Sequence, residues 1–168
     1  IVHGIPGGRE LKEGDVVSVD FGVEHGGFHG DSAFTVTLGT VPPAVRKLVE
    51  TTREALDRGI EQMVPGKRLS DIGHAVQVRA ESEGFSVVRQ FVGHGIGREM
   101  HEPPQIPNYG PPGRGPRLKP GMVFAIEPLV WVPGVEGGAG VRIEDMVLVT
   151  EGAPRVLSRI DYEDRLLL

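Results

Sequence analysis

His94 and His101 stand seven residues apart in the stretch 92–110, VGHGIGREMHEPPQIPNYG. The glycines after His94 let backbone or a bound molecule come close, and two imidazoles so placed can ligate a metal or move protons. A pair of histidines in a loop is more often plain surface. Acidic residues widen the choice: Asp20 and Asp31 lie early in the chain, Glu127 and Glu144 late. Each acidic pair taken alone reads as solvated carboxylates on the outer face of a hairpin.

The spacing around these residues repeats. Leu11-Lys12-Glu13-Gly14 is followed six residues after its glycine by Asp20, and Leu118-Lys119-Pro120-Gly121 is followed six residues after its glycine by Glu127. Downstream, Asp31 precedes Gly39 by eight residues and Glu144 precedes Gly152 by the same eight. Two such units paired about a pseudo-twofold axis would bring the four carboxylates together. That much negative charge in one place is prohibitive without cations between the groups. With His94 added, the oxygen and nitrogen donors suit two divalent ions roughly 3.5 Å apart, with carboxylates bridging.

The elements that must position them follow from periodicity. Residues 15–21 alternate as a strand with Asp20 on the face opposite Phe21, His25-Gly26-Gly27 supplies a turn, and residues 28–38 return as a second strand carrying Asp31. Pro42-Pro43 opens an amphipathic helix in which Val45, Leu48, Val49, Thr52, Leu56, Ile60 and Met63 share one stripe until Pro65-Gly66. Ser70 is expected to cap a second helix with Ile72, Ala75, Val76 and Ala80 inward and Gly84 as its stop. An apolar strand is expected over 85–92, leaving His94 in the loop beyond it. An ordered surface loop is expected over the proline- and glycine-rich 103–120. Strands at 122–132 and 141–150, joined by a turn at 133–140, make the second acidic hairpin. His25, His29 and His74 join no constellation.

Composition narrows the chemistry. A formal net charge of −5 with scattered Lys and Arg provides no basic field for nucleic acid. No run approaches the roughly 18 apolar residues of a membrane span, so a cytoplasmic protein is expected. The absence of cysteine removes disulfides, a thiol nucleophile and thiolate ligands, leaving His, Asp and Glu to hold hard or borderline ions. The first repeat has ten residues ahead of Leu11, whereas two helices and a strand precede the second. The expectation is a single domain over 1–168, shortened at its N-terminus and monomeric.

The segments VHGIP at 2–6, VDFG around Asp20, HGDSA around Asp31, the stretch 92–110, LKPGMVFAIEP around Glu127 and RIEDMVLVTEG around Glu144 together resemble the type I methionine aminopeptidases. The resemblance runs to about residue 158 and implies an α/β pita-bread fold. That fold is a curved, mostly antiparallel sheet with helices on its outer face and a dinuclear metal site on its inner face. It implies that Asp20, Asp31, His94, Glu127 and Glu144 bind two divalent ions, whether manganese, iron, cobalt or zinc, with Asp31 and Glu144 bridging. It further implies that His3 and His101 contact the substrate around the scissile amide and that Glu127 handles the proton of a metal-bridging water. The implied reaction is removal of the initiator methionine from peptides or nascent polypeptides. Three features depart from the pattern. A helical N-terminal segment is expected to be missing, Glu144 follows Glu127 by only seventeen positions, and Arg142-Ile143-Glu144-Asp145 is similar to the Arg-x-Glu-Asp segment of Xaa-Pro peptidases of the same fold. A proline-directed peptidase is therefore one alternative, and a non-catalytic binding protein another. Met100 and Trp131 are candidates for the side-chain pocket, with core or surface roles as the ordinary reading.

Overall fold

Alternating β-favouring residues make the first hairpin, β1 (Val16–His25) and β2 (Phe28–Thr37), in a continuous ten-pair register. Gly26 and Gly27 turn it at φ 59° and 79°, a left-handed pair that side-chain-bearing residues resist. The structure, a computed structural model, describes residues 4–133 and 140–158. Beyond the hairpin come α1 (Pro43–Ile60), α2 (Leu69–Ser82), β3 (Ser86–Val87), β4 (Gly93–Gly95) and β5 (Glu102–Ile106). The chain continues through β6 (Val123–Ile126), β7 (Leu129–Trp131), β8 (Gly140–Arg142), β9 (Asp145–Leu148) and β10 (Arg155–Val156). Every pairing among the described residues is antiparallel. Beside the β1–β2 ribbon lie a five-stranded sheet in the order β10-β9-β6-β4-β5 and a three-stranded sheet in the order β3-β7-β8.

The helices cover one side of the second and third sheets. Leu48 and Leu56 of α1 and Ile72 and Val76 of α2 share one buried cluster with Phe124, Ile126, Val130, Val141 and Val147. Burial of each such side chain stabilises by about 1.5–3 kcal/mol, whereas solvent-screened ion pairs such as Lys47 with Glu83 contribute little. Apolar packing, not surface charge, therefore fixes the helix pair. Gly59 sits against Val76, so the two helices approach closely where a side chain would intervene. No helix among the described residues is long and apolar enough to cross a membrane.

Four local expectations need correction. The second helix begins before Ser70, with Arg68 as N-cap; its backbone N–H donates to Asp71 Oδ2 at 2.8 Å, and Ser70 Oγ instead accepts the Arg114 N–H at 2.7 Å. The strand expected over 85–92 shrinks to β3, because the chain pairs with β7 for two residues and then crosses into the other sheet as β4. The loop expected from 103 starts as edge strand β5, where proline's missing N–H faces no partner. Lastly, neither strand of the second hairpin is continuous. Pro128 interrupts the outgoing strand, so β6 pairs with β9 while β7 pairs with β8. On the return, Glu144 spends its backbone groups on Ala33 of β2, which separates β8 from β9.

Candidate metal centre

These two breaks build the site. Glu127 stands at the junction of β6 and β7, and Glu144 at the junction of β8 and β9, where strands leave one sheet for another. The bridge between Ala33 and Glu144 docks the first hairpin onto the second, reinforced by Thr35 Oγ1 donating to the Arg142 carbonyl at 2.6 Å and Ser32 Oγ to the Glu144 carbonyl at 3.3 Å. Asp20 is paired with Ala33 and Asp31 with Gly22, so the two aspartates are diagonal neighbours on one face of the ribbon.

His94 does not lie in a loop. It occupies β4, paired with Ala125 on one side and Gln105 on the other. Its flanking glycines make this insertion feasible, since a Cβ on Gly93 would collide with the Ala125 carbonyl oxygen and one on Gly95 would lie 2.6 Å from that of Pro103. Nδ1 lies 2.9 Å from the Gly95 carbonyl, an acceptor that places the proton on Nδ1 and leaves the Nε2 lone pair facing the carboxylates. Nε2 is 3.7 Å from Asp31 Oδ2 and 3.6 Å from Glu127 Oε1. The His101 ring sits 4.2 Å from the His94 ring, centroid to centroid. It is held there by a tight turn in which Glu102 Oε1 accepts the N–H groups of Arg98 and Glu99 at 2.7 and 3.0 Å. A cleft of about 310 Å³ lined by Val92, His94, His101, Pro103 and Gln105 opens beside the two rings.

The electrostatics are those of crowded acids. Burial, followed by repulsion from Glu127, Asp31 and Asp20, pushes the Glu144 carboxyl up to about 9, against the opposing charge of Arg142. Burial raises Glu127 to about 7, and Arg142 again opposes the shift. Asp31 is raised by burial and then by Asp20, while burial lowers His94. Glu144 Oε1 is buried without a hydrogen-bond partner. Asp31, His94 and Glu144 each offer a ligand atom, all within 4.8 Å of one another. An orphaned buried carboxylate oxygen, crowded acids and an inward imidazole lone pair fit a divalent cation of hard or borderline type.

The sequence reading thus placed Asp20, Asp31, His94, Glu127, Glu144 and His101 in one neighbourhood, and the fold brings them together. His3 lies outside the described residues. Met100 folds its terminal methyl over Gly22, opposite Asp31, whereas Trp131 is paired with Ser86 in the three-stranded sheet. Two neighbours, Asn108 and Gln105, escaped sequence reasoning, and a third, Arg142, entered it only as a likeness to Xaa-Pro peptidases and not as a partner of Glu127. Arg142, only 3% exposed, pairs through Nη1 with Glu127 Oε2. Asn108 is buried and donates from Nδ2 to the Glu127 carbonyl at 3.2 Å. Gln105 stands across from His94 and lines the cleft. The PNYG segment and the strand periodicity around Arg142 were visible, but neither reveals a contact across sheets.

Residues 1–151 match the model of metallopeptidase family M24. The chain is 48% identical to methionine aminopeptidase 1 of Bacillus subtilis, an alignment covering 95% of this chain and 70% of that protein. Its fold superposes on the crystal structure of methionine aminopeptidase from Rickettsia prowazekii with a TM-score of 0.90 at 35% identity, covering 94% of this chain and 69% of the other. The prolidase from Pyrococcus furiosus is also similar, with a TM-score of 0.80 at 30% identity, covering 95% of this chain and 45% of that one.

Proposed function

The chain belongs to metallopeptidase family M24, and on that premise we propose that it is a metal-dependent aminopeptidase that removes the N-terminal methionine of polypeptides. The observation that carries this reading is the cluster of Asp31, His94 and Glu144, with Glu127 3.6 Å from the same imidazole nitrogen. We assign Asp20, Asp31, His94, Glu127 and Glu144 as the ligands of divalent cations. Such cations supply Lewis acidity for the scissile carbonyl and lower the pKa of a water so that it can attack near neutral pH.

The protein's own groups supply the rest. Glu127, buried between His94 and Arg142, is placed to take a proton from the attacking water and return it to the leaving amine. His101, exposed and adjacent to His94, is placed to donate to the oxygen on which negative charge develops. The cleft beside both rings is the natural seat for the chain end, and a cation held by the cluster would accept the free α-amine, consistent with removal of a single terminal residue.

The proline-directed alternative rests on the Arg142–Asp145 segment and on the likeness to a prolidase. One experiment separates the two. Metal-depleted protein is resupplied with manganese or cobalt and offered a Met-Ala-Ser peptide and an Xaa-Pro dipeptide in parallel. Methionine release alone is the expected result, and cleavage of the proline substrate alone would overturn it.

A further inference from the structure

The segment that carries Glu144 keeps its alternation through the break between β8 and β9. Val141, Ile143, Val147 and Val149 all join the buried apolar cluster beneath the helices, while Arg142 and Glu144 face the carboxylates. Asp145 holds the remaining place in the apolar row, and there it meets a charge. Arg53 of α1 donates through Nη1 to Asp145 Oδ2 at 3.2 Å, and Ser158 Oγ donates to Asp145 Oδ1 at 2.9 Å while accepting the Met146 N–H at 2.9 Å. The Asp145 side chain is only 15% exposed. A largely buried ion pair stabilises a fold no better than apolar side chains of similar volume, and another valine would continue the row at no electrostatic cost. Stability alone does not account for an acid at this position.

What the pair adds is direction. Glu144 Oε1 is buried without a hydrogen-bond partner, so the aim of this carboxylate depends on its backbone. That backbone lies between sheets: Glu144 exchanges its N–H and C=O with Ala33, the Ile143 N–H reaches the Pro128 carbonyl only at 3.5 Å, and regular pairing resumes at Asp145 with Ile126. Apolar contacts are non-directional and would let such a segment slide, whereas hydrogen bonds to both oxygens of a carboxylate hold it in one geometry.

We propose, on the assignment of Glu144 as a cation ligand, that Arg53 is a positioning residue for it: the clamp of Arg53, Asp145 and Ser158 on the helix side of the strand sets the aim of Glu144 on the other side. Helix α1 is thereby part of the metal centre, acting through the strand and not through substrate.

The test sets fold stability against cation binding in the full chain. Arg53→Met combined with Asp145→Leu replaces the ion pair by apolar side chains, and its urea midpoint is expected at or above the natural one. Calorimetric titration of the same metal-depleted variant with manganese is expected to show affinity lowered by roughly tenfold or more. Arg53→Lys, which keeps the charge, should bind manganese within about threefold of the natural protein. Natural affinity in a stable double variant overturns the proposal. So does affinity that falls only in step with the urea midpoint, because weakened folding would then explain the lost metal. If the double variant does not fold, Ser158→Ala decides: a loss of roughly threefold in affinity is expected, and unchanged affinity overturns the proposal. Failure of the natural protein to bind any manganese would instead overturn the assignment of Glu144 as a ligand.

Discussion

Ala33 and Glu144 exchange backbone hydrogen bonds across an isolated antiparallel bridge, the Glu144 N–H donating to the Ala33 carbonyl at 2.8 Å and the Ala33 N–H to that of Glu144 at 3.3 Å. This bridge joins segments more than a hundred residues apart and sets the distance between the two acidic hairpins. Ala33 is 1% exposed, so the contact leaves no room for a larger side chain.

Ala33→Leu should therefore destabilise the fold by about 1–3 kcal/mol through overpacking and also weaken cation uptake, although no ligand is altered. Urea unfolding and a manganese titration on the same sample measure both. A stable variant with natural affinity would show that the bridge does not set the site.

Gly93→Ala tests whether His94 depends on close strand approach. The added Cβ meets a backbone carbonyl, which cannot rotate away, so the cost should reach about 2 kcal/mol or more. Displacement of β4 should also lower metal affinity. Thermal unfolding with and without cation should show a smaller metal-induced gain than in the natural protein.

The metal-free protein should lose stability as pH rises from about 6.5 to about 9. Glu127 and Glu144 have folded pKa values raised to about 7 and about 9, above the 4.5 ordinary for a free glutamate, so their protonated forms stabilise the fold and that contribution disappears as pH climbs to those values. His94 is lowered by burial and works in the opposite sense, but its penalty falls below the 6.5 ordinary for a free histidine, outside this window. Unfolding midpoints of chelator-treated protein at pH 6.5, 7.5 and 9 give the sign. A rise across the window would contradict the carboxylate crowding. In the same window metal uptake should release protons, visible as a buffer-dependent heat.

Glu127→Ala should abolish turnover and weaken one cation. His101→Ala should lower turnover by roughly two to three orders of magnitude while metal content stays natural. Elemental analysis of the two purified variants distinguishes them, and equal metal loss in both would remove His101 from its assigned role.

Much of this architecture is local and so was legible. Strict alternation at 16–21 and 34–38, the Gly26-Gly27 turn and the stripe Leu48, Thr52, Leu56, Ile60 report on neighbours a few residues away, and each appears in the fold as read. The spacing repeat carries further, because two copies of one unit imply their own docking symmetry, which is enough to group Asp20, Asp31, Glu127 and Glu144. Periodicity was silent where a strand leaves one sheet for another. The break at Pro128, the conversion of the His94 loop into strand β4 and the placement of Arg142 beneath Glu127 each depend on which backbone lies across the gap.

By itself the sequence determined which side chains carry charge, which face of each strand they take and that the two acidic units are equivalent, because those properties are set by residue type and by the period of the backbone. Only the tertiary structure decided which of those charges share a desolvated space and which cation already stands among them. Desolvation and Coulomb energy depend on distance through space, and nothing in the linear separation of fifteen residues between Glu127 and Arg142, or of more than a hundred between Ala33 and Glu144, specifies that distance.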